Sequence, residues 1–303
     1  MSLGSWRTYD RIGHDSNVAV LQAARTAGIN FLEVARYDDE TGTAPIRTGF
    51  SEVAFGEAFR ASGWPRDEVI VAEKLWWEFW PAQDAVQELE ASLGRTGLDR
   101  VDFIYSDPPP DALPMDEVTA QIGHLITAGK ARAWGIVNWS STLLNAATRS
   151  TQRHGAPCPA AAQFAYSLVH RSPVEDQEMI DALRTCGASV VASYALLGGV
   201  LSGKYAGSAR GRMAGQLGDP RLEPAVAASA TLAALATELG VTQAALAYAF
   251  ALANPLTATV LFGATASSQI AQNVRALDVL EALSPGHLAE LRSIGDSGHI
   301  PVA

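Results

Sequence analysis

The 303-residue chain is 48% apolar and 18% charged, a balance that buries a core and excludes a disordered chain. Thirty-two acidic against 22 basic residues give a formal charge of −10, with no basic stripe, so neither nucleic acid nor an anionic membrane surface is an expected partner. No apolar run approaches the roughly 20 residues that span a bilayer, and no basic-then-apolar leader opens the chain.

In chain order, a short apolar run followed by an amphipathic stretch recurs along nearly the whole length. Residues 1–6 supply a first strand. A helical pattern over 16–27 stops at Gly28, and 30–35 is strand-like. A helix over 51–61 ends at the Gly63-Trp64-Pro65 breaker before a strand at 68–74. Leu75 to Trp80 (LWWEFW) then packs three tryptophans and a phenylalanine into one loop. That cluster reads either as loop packing or as an aromatic wall around an apolar substrate. Further helices are expected at 82–93, 115–128, 141–153, 174–184 and 269–280, and strands at 101–106, 131–138, 160–164, 189–194 and 258–262. Tyr205 to Pro224, rich in Gly, Arg and Ala, reads as a long mobile loop. Eight strands alternating with helices predict a single (β/α)8 TIM barrel domain over residues 1–303. The rival open doubly wound sheet wants a GxGxxG after its first strand, and none is present.

Functional groups of such a barrel collect at the C-terminal ends of its strands. Those ends carry Glu33, Lys74, Asp107, Asn138, Gln163 and Tyr194, and the last strand runs into Gly263-Ala264-Thr265. Gly263 allows close backbone approach, and Thr265 is placed to cap the helix carrying Gln269, Gln272 and Asn273, whose start would suit a phosphate. The two cysteines, Cys158 and Cys186, fit neither a CxxC nor a metal-ligand spacing and read as buried or surface thiols of a reducing compartment. The six histidines are dispersed, with none in HxxxH spacing, so no metal site is expected. The expected setting is the cytoplasm.

The sequence resembles the aldo-keto reductase family, and within it the branch of the voltage-gated potassium channel β subunits. The similarity runs from Leu3-Gly4-Ser5-Trp6 through Gly28-Ile29-Asn30-Phe31 to Gly263-Ala264-Thr265 and Gln272-Asn273. Between these lie Gly63-Trp64, Pro114-Met115, Trp134-Gly135, Trp139-Ser140-Ser141 and Leu201-Ser202-Gly203-Lys204-Tyr205, in family order. The family's N-terminal hairpin has no counterpart before the first-strand motif. The resemblance implies NADP(H) bound in an extended form. Ser5 and Trp6 would lie beside it, and Asn138 and Gln163 would hold the nicotinamide amide. Ser193, Tyr194, Leu196, Gly198 and Lys204 would line the pyrophosphate path, where Tyr194-Ala195-Leu196 replaces the family's usual Ser-Pro-Leu. Gly263, Thr265, Gln269, Gln272 and Asn273 match the adenosine end. Arg210 or Arg212 would meet a 2′-phosphate, unless they are solvated loop arginines.

Reduction of a carbonyl by hydride needs a proton donor at the nascent alkoxide. In the family a tyrosine donates, a lysine paired with an aspartate lowers its pKa, and a histidine orients the carbonyl. Here Lys74 is kept, and Glu33 stands at the aspartate position, one methylene longer. Five residues beyond the acid, where the tyrosine belongs, is Asp38; Tyr37 stands one short, so its use requires a backbone adjustment. The histidine position is Asp107, which repels a developing oxyanion when ionised and donates when protonated. The expected activity is NADPH-dependent reduction of an aldehyde, ketone or related small carbonyl substrate. The altered tetrad leaves open a cofactor-binding sensor with little catalysis, and a barrel of unrelated lyase or isomerase type is a third reading.

Overall fold

The computed structural model describes residues 1–205, 213 and 215–295. Eight parallel strands close into a barrel in the order β1 to β8, as the alternating pattern predicts. They are β1 (Ser2–Gly4), β2 (Phe31–Glu33), β3 (Ile70–Leu75), β4 (Phe103–Ser106), β5 (Ala133–Val137), β6 (Ala161–Ala165), β7 (Ser189–Ser193) and β8 (Thr257–Phe262). Their register places Glu33 opposite Ala72, Lys74 opposite Tyr105, Tyr105 opposite Gly135 and Val137 opposite Gln163. Because side chains alternate along a strand, Asp107 shares the parity of Tyr105 and Lys74, while Glu73 has the opposite one.

By internal packing the chain falls into two compact units, Met1–Gln163 with Gln177–Ser189 and Phe262–Ile270, and Phe164–Asp176 with Val190–Leu261 and Ala271–Ala303. In the first unit, helices α1 (His14–Thr26), α2 (Phe50–Ser62), α3 (Ala85–Thr96), α4 (Met115–Thr127) and α5 (Ser141–His154) follow the first five strands. Local chemistry sets their ends. Asp84 and Gln87 form a reciprocal capping box at the start of α3, and Gly97 closes it in the left-handed region. Ser140 caps α5 by accepting from the Leu143 amide. Gly56 brings α2 against the end of α3 so closely that a Cβ there would lie 2.0 Å from the Thr96 carbonyl oxygen. Gly56→Ala must therefore force backbone apart, at a cost of about 3 kcal/mol. A lower denaturation midpoint at unchanged m would register it; an unshifted midpoint would contradict the packing described.

Beyond α5 the chain holds elements the sequence pattern does not reveal. Helices α8 (Glu223–Glu238), α9 (Gln243–Leu252) and α12 (Pro285–Ile294) lie where no periodic stripe was expected. Ala245 to Ala251 of α9 are all buried and no position of the helix is exposed, so it has no polar face to generate a period. The helix expected over 174–184 is two, α6 (Ser172–Glu175) and α7 (Gln177–Cys186), because Asp176 is extended. The helix expected over 269–280 likewise divides into α10 (Ser267–Asn273) and α11 (Ala276–Ala282). Within the second unit the Tyr166 hydroxyl donates to Glu175 at 2.6 Å and accepts from Asn254, while Arg292 of α12 pairs with the same carboxylate. No single helix among the described residues is long and apolar enough to cross a membrane.

Candidate active site

Three side chains from consecutive segments of the first unit converge on one oxygen. The Lys74 ammonium lies 2.8 Å from Glu33 Oε1 and donates to the Tyr37 hydroxyl at 2.8 Å. The same hydroxyl donates to Glu33 Oε1 at 2.9 Å. Glu33 and Lys74 are buried, and Tyr37 is half-buried. The barrel dictates part of this: β2 and β3 are neighbours in register, so their C-terminal inward positions must approach.

Tyr37 meets Lys74 although it comes one residue early in the sequence. Beyond β2 the chain makes a tight turn, with the Tyr37 amide bonded to the Ala35 carbonyl. It then runs out and back through a loop closed by an antiparallel bridge between Asp38 and Thr48. Ser51 Oγ donates to the Ala35 carbonyl, and the Gly49 amide donates to the Tyr37 carbonyl. The segment is thus held at two carbonyls by the start of α2. The additional methylene of Glu33 supplies reach toward a tyrosine four residues later.

Electrostatics hold the triangle in one protonation pattern. Burial alone would lower the Lys74 ammonium, but Glu33 and Tyr37 outweigh it and keep it above the ordinary lysine value. Burial first, then the Glu33 charge, raise the Tyr37 phenol, against a smaller opposing pull from Lys74. The hydroxyl therefore keeps its proton across the neutral range and is loaded as a donor. This differs from the expectation that lysine lowers the phenol: it does pull that way, but desolvation is larger.

Asp107 continues the inward parity of β4, with its amide bonded to the Leu75 carbonyl. Burial pushes its carboxyl up to about 6, with Lys74 pulling less strongly the other way. Tyr105, two residues earlier, is fully buried, with no hydrogen-bond partner for its hydroxyl among the described residues.

The tryptophan cluster divides between both readings of it. Trp77 is packing: it is buried, and its indole N–H donates to Ser106 Oγ at 2.9 Å. Trp76 instead presents its ring edge-on to Tyr37, centroids 5.6 Å apart, and the Lys74 ammonium sits 5.5 Å over it. Trp6 borders Tyr37 on another side at 6.3 Å. The backbone amides of Trp76 and Trp77 both donate to the Glu88 carboxylate of α3. Arg36, paired with Glu78, lies over the exposed ring of Phe79. Sequence reading did not single out Glu88 or Arg36; an acid at 88 inside a helical stripe gives no signal by spacing.

Residues that suit a nicotinamide end are present in the same unit. Gln163 is buried and its side-chain carbonyl oxygen has no partner among the described residues, leaving an acceptor that a carboxamide N–H would satisfy. Ser5 Oγ is also buried without a partner among the described residues. Asn138 adopts a left-handed backbone, φ 53°, with its amide bonded to the Gln163 carbonyl and its side chain exposed. A Cβ on Gly263 would meet Thr8 Oγ1 at 3.0 Å. The start of α10 is capped otherwise than expected from Thr265: the Gln269 amide oxygen accepts from the backbone amides of Thr265 and Ala266. A side chain four residues on can fold back over the turn, whereas Thr265 sits too far ahead of Ser267.

In the second unit, Ser193 Oγ donates to the Phe164 carbonyl, and Tyr194 takes a left-handed backbone with its hydroxyl on Met213 Sδ at 3.7 Å. Leu196 precedes three successive positive-φ residues, Leu197, Gly198 and Gly199, and the Lys204 ammonium lies 4.9 Å over the Tyr205 ring. Gln272 is exposed and Asn273 half-buried on α10. Arg210 and Arg212 lie outside the described residues. No group of three or more metal-ligating side chains gathers among the described residues.

The model of the Aldo/keto reductase family matches residues 1–296. The "Probable voltage-gated potassium channel subunit beta" of Oryza sativa subsp. japonica is 31% identical, over 98% of this chain and 93% of its own. The "Putative voltage-gated potassium channel subunit beta" of Schizosaccharomyces pombe is 29% identical over 97% of this chain and 88% of its own, and a similarly described protein of Arabidopsis thaliana is 29% identical over 97% and 92%. With a closed eight-stranded barrel and a family match along nearly its whole length, the chain belongs to the aldo/keto reductase family.

Proposed function

We propose that the protein is an NADP(H)-dependent oxidoreductase that reduces an aldehyde, ketone or related carbonyl compound, with Tyr37 as the proton donor. Family membership supports the NADP-dependent oxidoreductase kind of function. The single observation that carries the finer reading is the Glu33–Lys74–Tyr37 triangle, in which a protonated phenol is gripped by a buried ammonium and a buried carboxylate. When bound, the reduced nicotinamide supplies the hydride. The chain's own part is to place and load the proton. Lys74 stabilises the phenolate left after donation, and Glu33 keeps Lys74 charged. Trp6 and Trp76 flank the Tyr37 ring and limit how it can tilt. Protonated, Asp107 donates a second hydrogen bond to the carbonyl oxygen; ionised, it opposes charge build-up there. The orphaned Gln163 oxygen, with Asn138, would hold the carboxamide, and Ser5 and Trp6 would lie along the ring.

Mixing the NADPH-loaded protein with a panel of aldehydes and ketones in a stopped-flow fluorimeter tests this: the bound nicotinamide signal should decay with at least one member at pH 6. Asp107 also favours a second reading, a cofactor-binding sensor of slow chemistry, since a carboxylate there weakens reduction at neutral pH. Tight NADPH binding with no oxidation by any carbonyl at pH 6 would select that reading. No binding of either nicotinamide coenzyme would remove both.

A further inference from the structure

Behind the site, on the helix side of β2 and β3, lies a second buried network that touches both Tyr37 and Lys74 through the backbone. Glu52, in the first turn of α2, is fully buried and forms a two-pronged ion pair with Arg95 of α3, through Nε and through Nη2 at 3.3 Å. Arg95 also donates to Ser92 Oγ at 3.0 Å. The pair packs against Gly49 so tightly that a Cβ on Gly49 would meet Arg95 Nε at 2.6 Å and Glu52 Oε2 at 2.9 Å. Gly49 has φ 79°, a conformation that a side-chain-bearing residue resists. Its amide donates to the Tyr37 carbonyl at 3.0 Å, and its own carbonyl accepts from the Glu52 amide at 3.1 Å. On the neighbouring strand, the buried Glu73 carboxylate group accepts from the Lys74 amide at 3.2 Å.

We propose that the Glu52–Arg95 ion pair is a positioning device for the proton donor: it fixes Gly49, and Gly49 fixes Tyr37 over Lys74. The proposal rests on Tyr37 being the donor. A buried ion pair is a poor way to gain stability, because desolvating both charges roughly cancels their attraction and an apolar pair of similar volume often does as well. It does, however, permit one geometry only, since the planar guanidinium meets a carboxylate edge to edge. A tyrosine one residue short of its family position needs such a constraint, as its hydroxyl is reached through a turn rather than along a strand. Burial first, then the Glu52 charge, pushes the Glu73 carboxyl well up; burial raises Glu52 as well, against the opposing pull of Arg95, and it is Glu52 that the Arg95 guanidinium grips.

The discriminating experiment replaces both charges, Glu52→Met with Arg95→Met, and separately makes Gly49→Ala. The double variant is expected to melt near the wild type yet lose about tenfold to a hundredfold in kcat with the KM for NADPH unchanged, the size of effect expected when a reacting group shifts by about 1 Å. Its solvent deuterium isotope effect on kcat should rise as proton transfer becomes limiting. Gly49→Ala should show the same kcat loss, which keeps the test decisive if the double variant does not fold. Asp102→Asn breaks another buried ion pair, with Arg66 at 2.7 Å; it should lower the melting temperature and leave kcat alone. In a Tyr37→Phe background Gly49→Ala should cost nothing further. Wild-type kcat in both Gly49→Ala and the double variant, or losses additive with Tyr37→Phe, would overturn the positioning role. Unchanged turnover in Tyr37→Phe itself would instead overturn the proposed donor, and the positioning role with it.

Discussion

Lys74→Met is expected to reduce turnover about a thousandfold while NADPH still binds. The magnitude follows from general acid catalysis, which contributes roughly 10²–10⁴, because methionine neither donates to the phenol nor stabilises the phenolate. The variant also strands Glu33, which is 2% exposed, without a counter-charge, and breaking one side of a buried pair costs about 3–5 kcal/mol. Adding Glu33→Leu should therefore restore much of the lost melting temperature and none of the turnover. This separation of stability from chemistry is the useful part of the measurement. The sign of the linkage is set by the raised ammonium: the pair's stabilisation is complete below the unfolded lysine value near 10, roughly, and is lost only as pH climbs through the higher folded value. Across neutral pH the double variant should thus show no new pH dependence. Equal turnover in Lys74→Met would remove this residue from the mechanism.

Carbonyl reduction is expected to weaken as pH rises through 6, approaching a tenfold loss in kcat/KM for each further unit. The cause is Asp107, whose carboxyl burial lifts to about 6, so its hydrogen-bond-donating form dominates below that pH and the repelling carboxylate above it. Asp107→Asn keeps an N–H donor at every pH and should flatten this limb, raising kcat/KM at pH 8 by about tenfold to a hundredfold. A limb near 6 that survives in Asp107→Asn would assign it elsewhere. Stability follows the same proton. The folded value exceeds the unfolded one, so at Asp107 the native state holds more of the proton between about pH 4 and 6, and this group's contribution to stability falls with rising pH across that window. Asp107→Asn should remove that contribution, making the slope of denaturation midpoint against pH less negative across the window than in the wild type.

What the sequence reveals here depends on whether periodicity reports burial. β3, β4 and β5 alternate with amphipathic helices, so their order and the identity of Lys74 and Asp107 at the rim could be read directly. The same logic fails for α9, buried on all sides, and for α8, whose alanine-rich stretch carries no contrast between faces. Tyr37 is instructive in a different way. Counting residues from Glu33 points to Asp38, yet what decides which group reaches Lys74 is a turn held by Ser51 and Gly49. Hydrogen bonds to a backbone carbonyl from a residue a dozen or more positions away have no sequence signature. The Glu52–Arg95 pair is hidden for the same reason, being 43 residues apart.

The Glu88 carboxylate that grips two successive amides of the tryptophan loop has a bearing on how this fold can diversify. Because the loop's backbone is tethered to a barrel helix, the identity of the side chain at Trp76 can change without reshaping the strand that carries Lys74. Selectivity for bulky or slender guests is thereby decoupled from the folding of the scaffold, and a library varied at that one position samples recognition while sparing the reaction centre.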